Sequence, residues 1–407
     1  MRLEKERQSM RWQQFQALMA AQARLPEPAF ANALYAQIAG DQTHCEAAVN
    51  WALGAGADLR QMALVFDWCQ PSLSKDKSRA LADRIERAVA AISSQSGVSA
   101  ARDRALAAVA LAGHRPSFSE AQLRLVIDKW WRGEIVPGLQ GRRDVLRLTD
   151  LPALLEILHA VRDNLKIDLR EPVEDFFLDL PSSLLLGYYP VPYTAAENEY
   201  YIPAVKDGGE PDLKRAALTR AAELSLVAYD SNTLEYQYLQ GWLMHDRFLM
   251  RSPLGTPYEF LWANPYQPGL SYFHLPLSFH DSRLGRLFLR SSWDTDATWL
   301  GYLEGQLQVF QEGELKIVTG QPASQAIRVG DAAVFVVSGS PTIRVDDPAV
   351  RVAFLIGLRP GADYEVAMDG EKKHTETADP GGILEITTPE EDGVVIRLRE
   401  SSRPAAQ

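Results

Sequence analysis

Two clusters in this 407-residue sequence carry side chains suited to moving protons and holding charge. The first is the run Glu197-Asn198-Glu199-Tyr200-Tyr201, with Tyr193 shortly before it. A tyrosine has an ordinary pKa of about 10 and serves as a base only where cations favour its phenolate. The second cluster is His245, Asp246, Arg247 and Arg251, followed by Tyr258, Glu259, Trp262, Asn264 and Tyr266. His245, beside an aspartate and two arginines, has the make-up of a base with local positive charge. Glu197 with Glu259 is the pair to which a two-carboxylate hydrolysis would assign acid and base. Both clusters also have plainer uses. A Tyr- and Pro-rich loop can brace a domain seam, and cations gather at a helix C-terminus because they favour its dipole.

The remaining constellations are sparse. His274, His280 and Asp281 match no tight metal-ligand spacing, so no metal site is expected. No phosphate-cradling glycine loop and no nucleophile elbow occur, and no cofactor is expected. Asp294 and Asp296 suit a hairpin turn. Trp293 and Trp299 are either sugar-stacking faces or buried aromatics of a sheet. Cys45 and Cys69 are expected to be separate buried thiols acting as small hydrophobes, with a single bridge or a reactive thiol as the alternatives.

The elements that must position these residues change character near residue 255. Before it, apolar residues recur at helical spacing. Trp12, Phe15 and Met19 share one side of a first helix that ends by Pro26 and Pro28. A second runs over about Cys45–Leu53. Asp58 reads as an N-cap with Gln61 in the capping-box position, opening a helix that carries Leu64, Val65 and Trp68. Ser74 opens another with Leu81, Ile85 and Val89. Helices follow near 99–112, 119–132 (Ser119 and Gln122 as a capping box) and 151–165. Residues 184–203, with three prolines and five tyrosines, predict an ordered loop, and 211–249 a long helix kinked near Asp230–Asn232. After residue 255 come short β-rich runs divided by Gly, Pro and Asp, such as Leu287–Arg290, Thr298–Leu303 and Val350–Ile356. The reading is two domains, residues 1–255 helical and 256–407 an antiparallel β-sandwich.

The net charge of −11 narrows the partners. Residues 1–250 carry 28 basic and 32 acidic side chains, and 251–407 carry 14 and 21, so neither half has the basic surplus a nucleic-acid binder needs. No run of about 18 apolar residues exists, so no membrane span is expected. The N-terminal residues are charged and lack the apolar core of a secretion signal. The expectation is a cytoplasmic chain as given, or a periplasmic or secreted one if a leader was removed.

Three segments carry a resemblance. Leu59-Arg-Gln-Met-Ala-Leu-Val-Phe-Asp-Trp-Cys resembles a toroid helix of the heparinase II/III-like polysaccharide lyases. Pro265-Tyr-Gln-Pro-Gly-Leu-Ser-Tyr and Leu289-Arg-Ser-Ser-Trp-Asp-Thr-Asp-Ala-Thr-Trp resemble the entry to that family's β-sandwich. The resemblance implies an incomplete (α/α) toroid of helical hairpins followed by an antiparallel β-sandwich, with a cleft for a polysaccharide or oligosaccharide. It also implies β-elimination next to a uronic acid. Asn198 would neutralise the carboxylate, Tyr200 or His245 would take the proton, and Arg251 would meet substrate charge. Tyr193, Glu197, Tyr201, Tyr258, Glu259, Trp262, Asn264 and Tyr266 would line the cleft. The sequence departs from the family where active relatives carry a His-x-His-x-Asp strand: Gly301-Tyr-Leu-Glu-Gly-Gln-Leu-Gln-Val-Phe has no histidine. The alternative is a saccharide-binding or scaffold protein that kept the fold and lost the active site.

Overall fold

The computed structural model describes residues 9–401 apart from 55–57, 94–96, 142, 144, 195–198, 209–211, 247–250, 265–266, 319–325, 369–372 and 390–392. As predicted, helices come first and strand-rich sheets follow. The chain divides into two compact units. One is Met1–Pro137, Leu146–Glu174 and Leu213–Gly269; the other is Gly138–Val145, Asp175–Asp212 and Leu270–Gln407.

The helical unit is built from α1 (Met10–Ala20), α2 (Pro28–Ala39), α3 (Gln42–Leu53), α4 (Leu59–Trp68), α5 (Lys75–Ala90), α6 (Val98–Leu111), α7 (Pro116–Arg124) and α8 (Leu151–Leu165). After α9 (Glu174–Leu186) it resumes with α10 (Leu213–Tyr229), α11 (Leu234–His245) and α12 (Gly255–Trp262). The even-numbered helices form a ring: α2 packs on α4, α4 on α6, α6 on α8, α8 on α10, α10 on α12, and α12 returns to α2. The odd-numbered α1, α3, α5, α7 and α11 lie against α12, α2, α4, α6 and α10 respectively. Composition explains the alternation. Ring helices need close neighbours on both sides, and α6 and α10 bury alanines (Ala105, Ala107, Ala108; Ala217, Ala221, Ala222). The outer α5 needs one apolar stripe only and buries Leu81, Ala82, Ile85 and Val89.

Local signals held in part. Asp58 caps α4 through Gln61 N (2.8 Å), and Ser74 caps α5 through Lys77 N (3.3 Å). The Gln61 side chain, however, does not return to Asp58. Its Oε1 accepts from Ala29 N (3.1 Å) and Phe30 N (3.3 Å), supplying acceptors to the orphan first-turn amides of α2. The Ser119–Gln122 box is overturned, because Pro116 starts α7 three residues earlier and Gln122 accepts from Arg104 instead. Helix α2 has no counterpart among the predicted elements. The kink near 230 is a break between α10 and α11. The two cysteines are not separate thiols. Cys45 in α3 and Cys69 at the end of α4 form a disulfide, their Cα atoms 5.5 Å apart, within bridging range.

The second unit holds a two-stranded hairpin, β1 (Tyr193–Thr194) and β2 (Glu199–Tyr200), and three sheets. The first sheet is an antiparallel meander of β3 (Ser278–Asp281), β4 (Arg286–Arg290), β5 (Trp299–Leu303), β6 (Gln306–Gln311) and β7 (Glu314–Val318). The remaining strands are β8 (Ile327–Val329), β9 (Ala332–Val336), β10 (Thr342–Val345), β11 (Val352–Ile356), β12 (Asp363–Met368), β13 (His374–Thr377), β14 (Ile383–Thr387) and β15 (Val394–Glu400). They make a middle sheet, β14-β11-β9-β8, and a third, β10-β15-β12-β13.

The middle sheet is buried on both faces. Val334, Val336, Phe354 and Ile356 meet Leu287, Leu289 and Leu300 of the first sheet, while Ala333, Phe335, Ala353 and Leu355 meet Val366, Ile396 and Leu398 of the third. Two-sided burial is why Ala332–Val336 and Val352–Ile356 read as continuous apolar runs. One pair departs from the antiparallel expectation. β9 and β11 run parallel, because the chain between them crosses into the third sheet as β10. On its other face the first sheet packs on α9 and the segment after it. Trp299, fully buried, donates from Nε1 to Leu186 O (2.7 Å) and lies over Gly301, where a Cβ would sit 2.2 Å from the indole. Trp299 is thus a core residue and offers no sugar face.

Candidate functional site

The predicted site residues fall into both units. In the second unit, Tyr193 is exposed and Tyr200 is buried, their rings 5.5 Å apart. Burial pushes the Tyr200 phenol up, away from the phenolate a base requires. Tyr201 is half-buried. Burial raises it too, while the guanidinium of Arg290 pulls the other way. Glu197 and Asn198 lie outside the described residues.

In the helical unit, His245 ends α11 and is exposed, as is Arg251. Tyr258 and Glu259 are buried and engaged: the Tyr258 hydroxyl donates to Glu27 Oε2 (2.8 Å), and Arg11 Nε donates to Glu259 Oε1 (2.8 Å). Asn264 is half-buried, and its carbonyl accepts from Gln240 Nε2 (3.3 Å). Tyr266 lies outside the described residues. Of this cluster, Trp262 faces a cavity.

That cavity, of about 160 Å³, lies inside the helical ring and is lined from five of its six helices. Its defining side chains are Phe30 from α2, Asp67 and Trp68 from α4, Glu156 and His159 from α8, and Trp262 from α12. Asp67 and Asp163 are exposed and mark its open side. Asp67 is nonetheless surrounded by enough protein that burial raises its carboxyl pKa. Helix α8 supplies the polar wall by periodicity. Glu156, His159 and Asp163 sit three and four residues apart on one face, while Leu154, Leu155, Leu158 and Val161 are buried.

Arg60 organises the acidic groups, with Arg102 also beside Glu156 (Nη1 3.7 Å from Oε2). Arg60, 2% exposed, meets Glu156 with Nε at 2.9 Å from Oε1 and 2.8 Å from Oε2, and its Nη1 reaches Glu27 Oε2 at 3.3 Å. Burial opposes its charge, but Glu156, Tyr258 and Glu27 outweigh that, and Arg60 is held well above its ordinary pKa. The guanidinium also stacks over Phe30, 4.6 Å from the ring centre.

His159 is equally fixed. Its Nε2 stands 3.0 Å from Ser225 O, and a carbonyl only accepts, so that nitrogen carries the proton. Nδ1 stands 3.3 Å from Arg162 Nη2 and 3.9 Å from Asp163 Oδ2. The imidazole lies against Trp262, ring centres 4.4 Å apart. The arrangement presents flat aromatic surfaces, an anchored carboxylate and a second carboxyl group that burial inclines toward its protonated form. These are groups that can hold hydroxyls and exchange a proton. Among the described residues, no cluster of three or more His, Cys, Asp and Glu side chains could hold a metal.

Sequence reading missed Asp67, Glu156 and His159 as a set because they come from separate helices. The helical spacing of 156, 159 and 163 was the available signal.

No family model matches the chain, and no curated protein matches it. Among solved structures it is similar to the heparan sulfate lyase HepC from Pedobacter heparinus, with TM-score 0.40 and 12% identity over 92% of this chain and 75% of that one. It is also similar to the GH127 β-arabinofuranosidase BT3674, with TM-score 0.32 and 12% identity over 98% of this chain and 76% of that one.

Proposed function

We propose that the protein is carbohydrate-directed and that the ring cavity holds a saccharide unit. The observation that supports this is the joining, in one water-accessible cavity, of aromatic walls from Trp68 and Trp262 with the carboxyl groups of Asp67 and Glu156. Sugar rings offer apolar C–H faces to stack on aromatics and hydroxyls to donate to carboxylates. The cations beside the cavity are already committed, Arg60 to Glu156 and Glu27, Arg102 to Asp103 and Glu156, and Arg162 to Asp163, so the cavity suits a neutral sugar better than a uronate. Titration calorimetry with a panel of neutral oligosaccharides tests the reading. Binding should weaken at least about tenfold in Trp262→Ala, the scale of one lost aromatic contact. Silence across the panel, or unchanged binding in that variant, overturns it.

A second reading, β-elimination on an acidic polysaccharide, draws support from Arg290 beside Tyr201 in the second unit, a cation next to a phenol. Incubation with uronic-acid polymers, followed by absorbance of an unsaturated product, tests it. New reducing ends without that chromophore point instead to hydrolysis by carboxyl groups. We also place the protein in an oxidising compartment, periplasmic or extracellular. The Cys45–Cys69 bridge supports this, because such bonds persist where thiols are not kept reduced.

A further inference from the structure

Three carboxyl groups line the ring cavity, and two of them are tied to cations. Glu156 is held by Arg60, and Asp163 accepts from Arg162 Nε at 2.9 Å. Asp67 differs: among the described residues it has no hydrogen bond and no ion pair. It stands one turn beyond Ala63 and Leu64 on the face of α4 that lines the cavity, next to Trp68. Two influences then act against its charge. The surrounding protein withholds solvent, which raises the carboxyl above its ordinary value. Asp67 also lies in the last turn of α4, where the negative end of the helix dipole opposes another negative charge. An acid inclined to keep its proton, beside a carboxylate paired with a cation, is the division of roles that cleavage by acid and base requires.

Placement agrees with that division. Asp67 and Asp163 both stand at the open side. The cavity, about 160 Å³, has room for about one sugar ring. A longer saccharide must leave its other units outside, so the bond between the held ring and the next unit falls at the mouth, where the two aspartates are.

We infer that the ring cavity hydrolyses the terminal unit of a neutral glycoside, with Asp67 protonating the leaving oxygen and Asp163 taking a proton from the attacking water. The inference rests on the carbohydrate reading of the same cavity and adds a reaction to it. The bond that breaks joins the anomeric carbon to the glycosidic oxygen, and Asp67 gives that oxygen its proton. The bond that forms joins the anomeric carbon to water, whose proton passes to the Asp163 carboxylate. One water is consumed, and proton exchange with solvent through the open side returns both aspartates to their starting forms.

The test compares two leaving groups on the full chain. Methyl glycosides of glucose, galactose, xylose and arabinose, in both anomers, release an alkoxide that needs a proton. The matching 2,4-dinitrophenyl glycosides release a phenolate that needs none. The parent should hydrolyse at least one sugar of the panel in both forms. Asp67→Asn should lower kcat on the methyl glycoside at least about 100-fold, the scale of a lost general acid, and far less on the dinitrophenyl glycoside. Asp163→Asn should slow both alike, since both need the water activated. Equal losses on the two leaving groups in Asp67→Asn would make Asp67 a structural residue and overturn the inference, as would parent-like rates in either variant. Neutral oligosaccharides that bind by calorimetry while every glycoside stays intact overturn the inference and leave the binding reading standing. Absence of both binding and turnover overturns the two together.

Discussion

Arg60 and Glu156, on facing helices of the ring, share three hydrogen bonds, Nε at 2.9 Å from Oε1 and 2.8 Å from Oε2 and Nη2 at 2.5 Å from Oε1, with the guanidinium almost wholly enclosed. The pair ties α4 to α8, which are not neighbours in the ring but flank α6. It thereby sets the carboxylate wall of the cavity opposite Trp68.

Breaking that pair should be expensive. Arg60→Met leaves the mostly buried Glu156 with only the longer contact to Arg102 (3.7 Å), and loss of one partner of a buried pair typically costs about 3–5 kcal/mol. Urea unfolding measures it. The double variant Arg60→Met, Glu156→Leu should lose less than the sum of the two single variants, since no charge is then stranded. A single-variant loss under about 1 kcal/mol, the range of exposed pairs, would show the pair to be ordinary surface electrostatics.

The pattern of what the sequence disclosed follows from how each element is buried. Strands β5 and β9 are buried along their whole length and β11 at all but its first residue, so their apolar runs were legible. β13 is exposed at all four positions, and β10 at two of four, so neither leaves an apolar trace. Helix α2 went unread because its alanines carry a weak periodic signal, although Pro28 at its first turn marks the start. The candidate residues were sought in dense runs such as 197–201. The ring cavity instead collects Phe30, Asp67, Glu156 and Trp262, which only the ring closure brings together.

His280 predicts a pH dependence of stability. Its ring joins Asp379 (Nε2 to Oδ2, 2.9 Å) and Glu385 (Nδ1 to Oε2, 2.9 Å), linking the first sheet to the middle one. Burial works against the charged ring, but these two acceptors outweigh it and push the pKa up to about 9. A folded-state pKa above the unfolded value, about 6.5, means that protonation favours the fold. The contribution is complete below pH of about 6.5 and is lost as pH rises through about 9. Unfolding free energy measured across that interval should therefore fall with rising pH, and His280→Gln should flatten the slope. A slope that persists in the variant would assign it to other groups.

The Cys45–Cys69 bridge makes the last prediction, because it joins the stability of the ring to the shape of its cavity. Cys69 follows Trp68 directly, and its amide closes α4 on Val65 O at 2.9 Å, so the bridge pins the helix end that carries Asp67 and Trp68. Closing a loop over a sequence separation of 24 should stabilise the fold by about 3 kcal/mol, mainly by restricting the unfolded chain. The variant Cys45→Ala, Cys69→Ala should lose that amount in urea unfolding, and reductant should lower the parent's midpoint without affecting the variant. The same variant should also bind neutral sugars less tightly, since the α4 end is then held by packing alone. Two thiols titratable in the native protein, purified without reductant, would remove both expectations, and with them the support for an oxidising compartment.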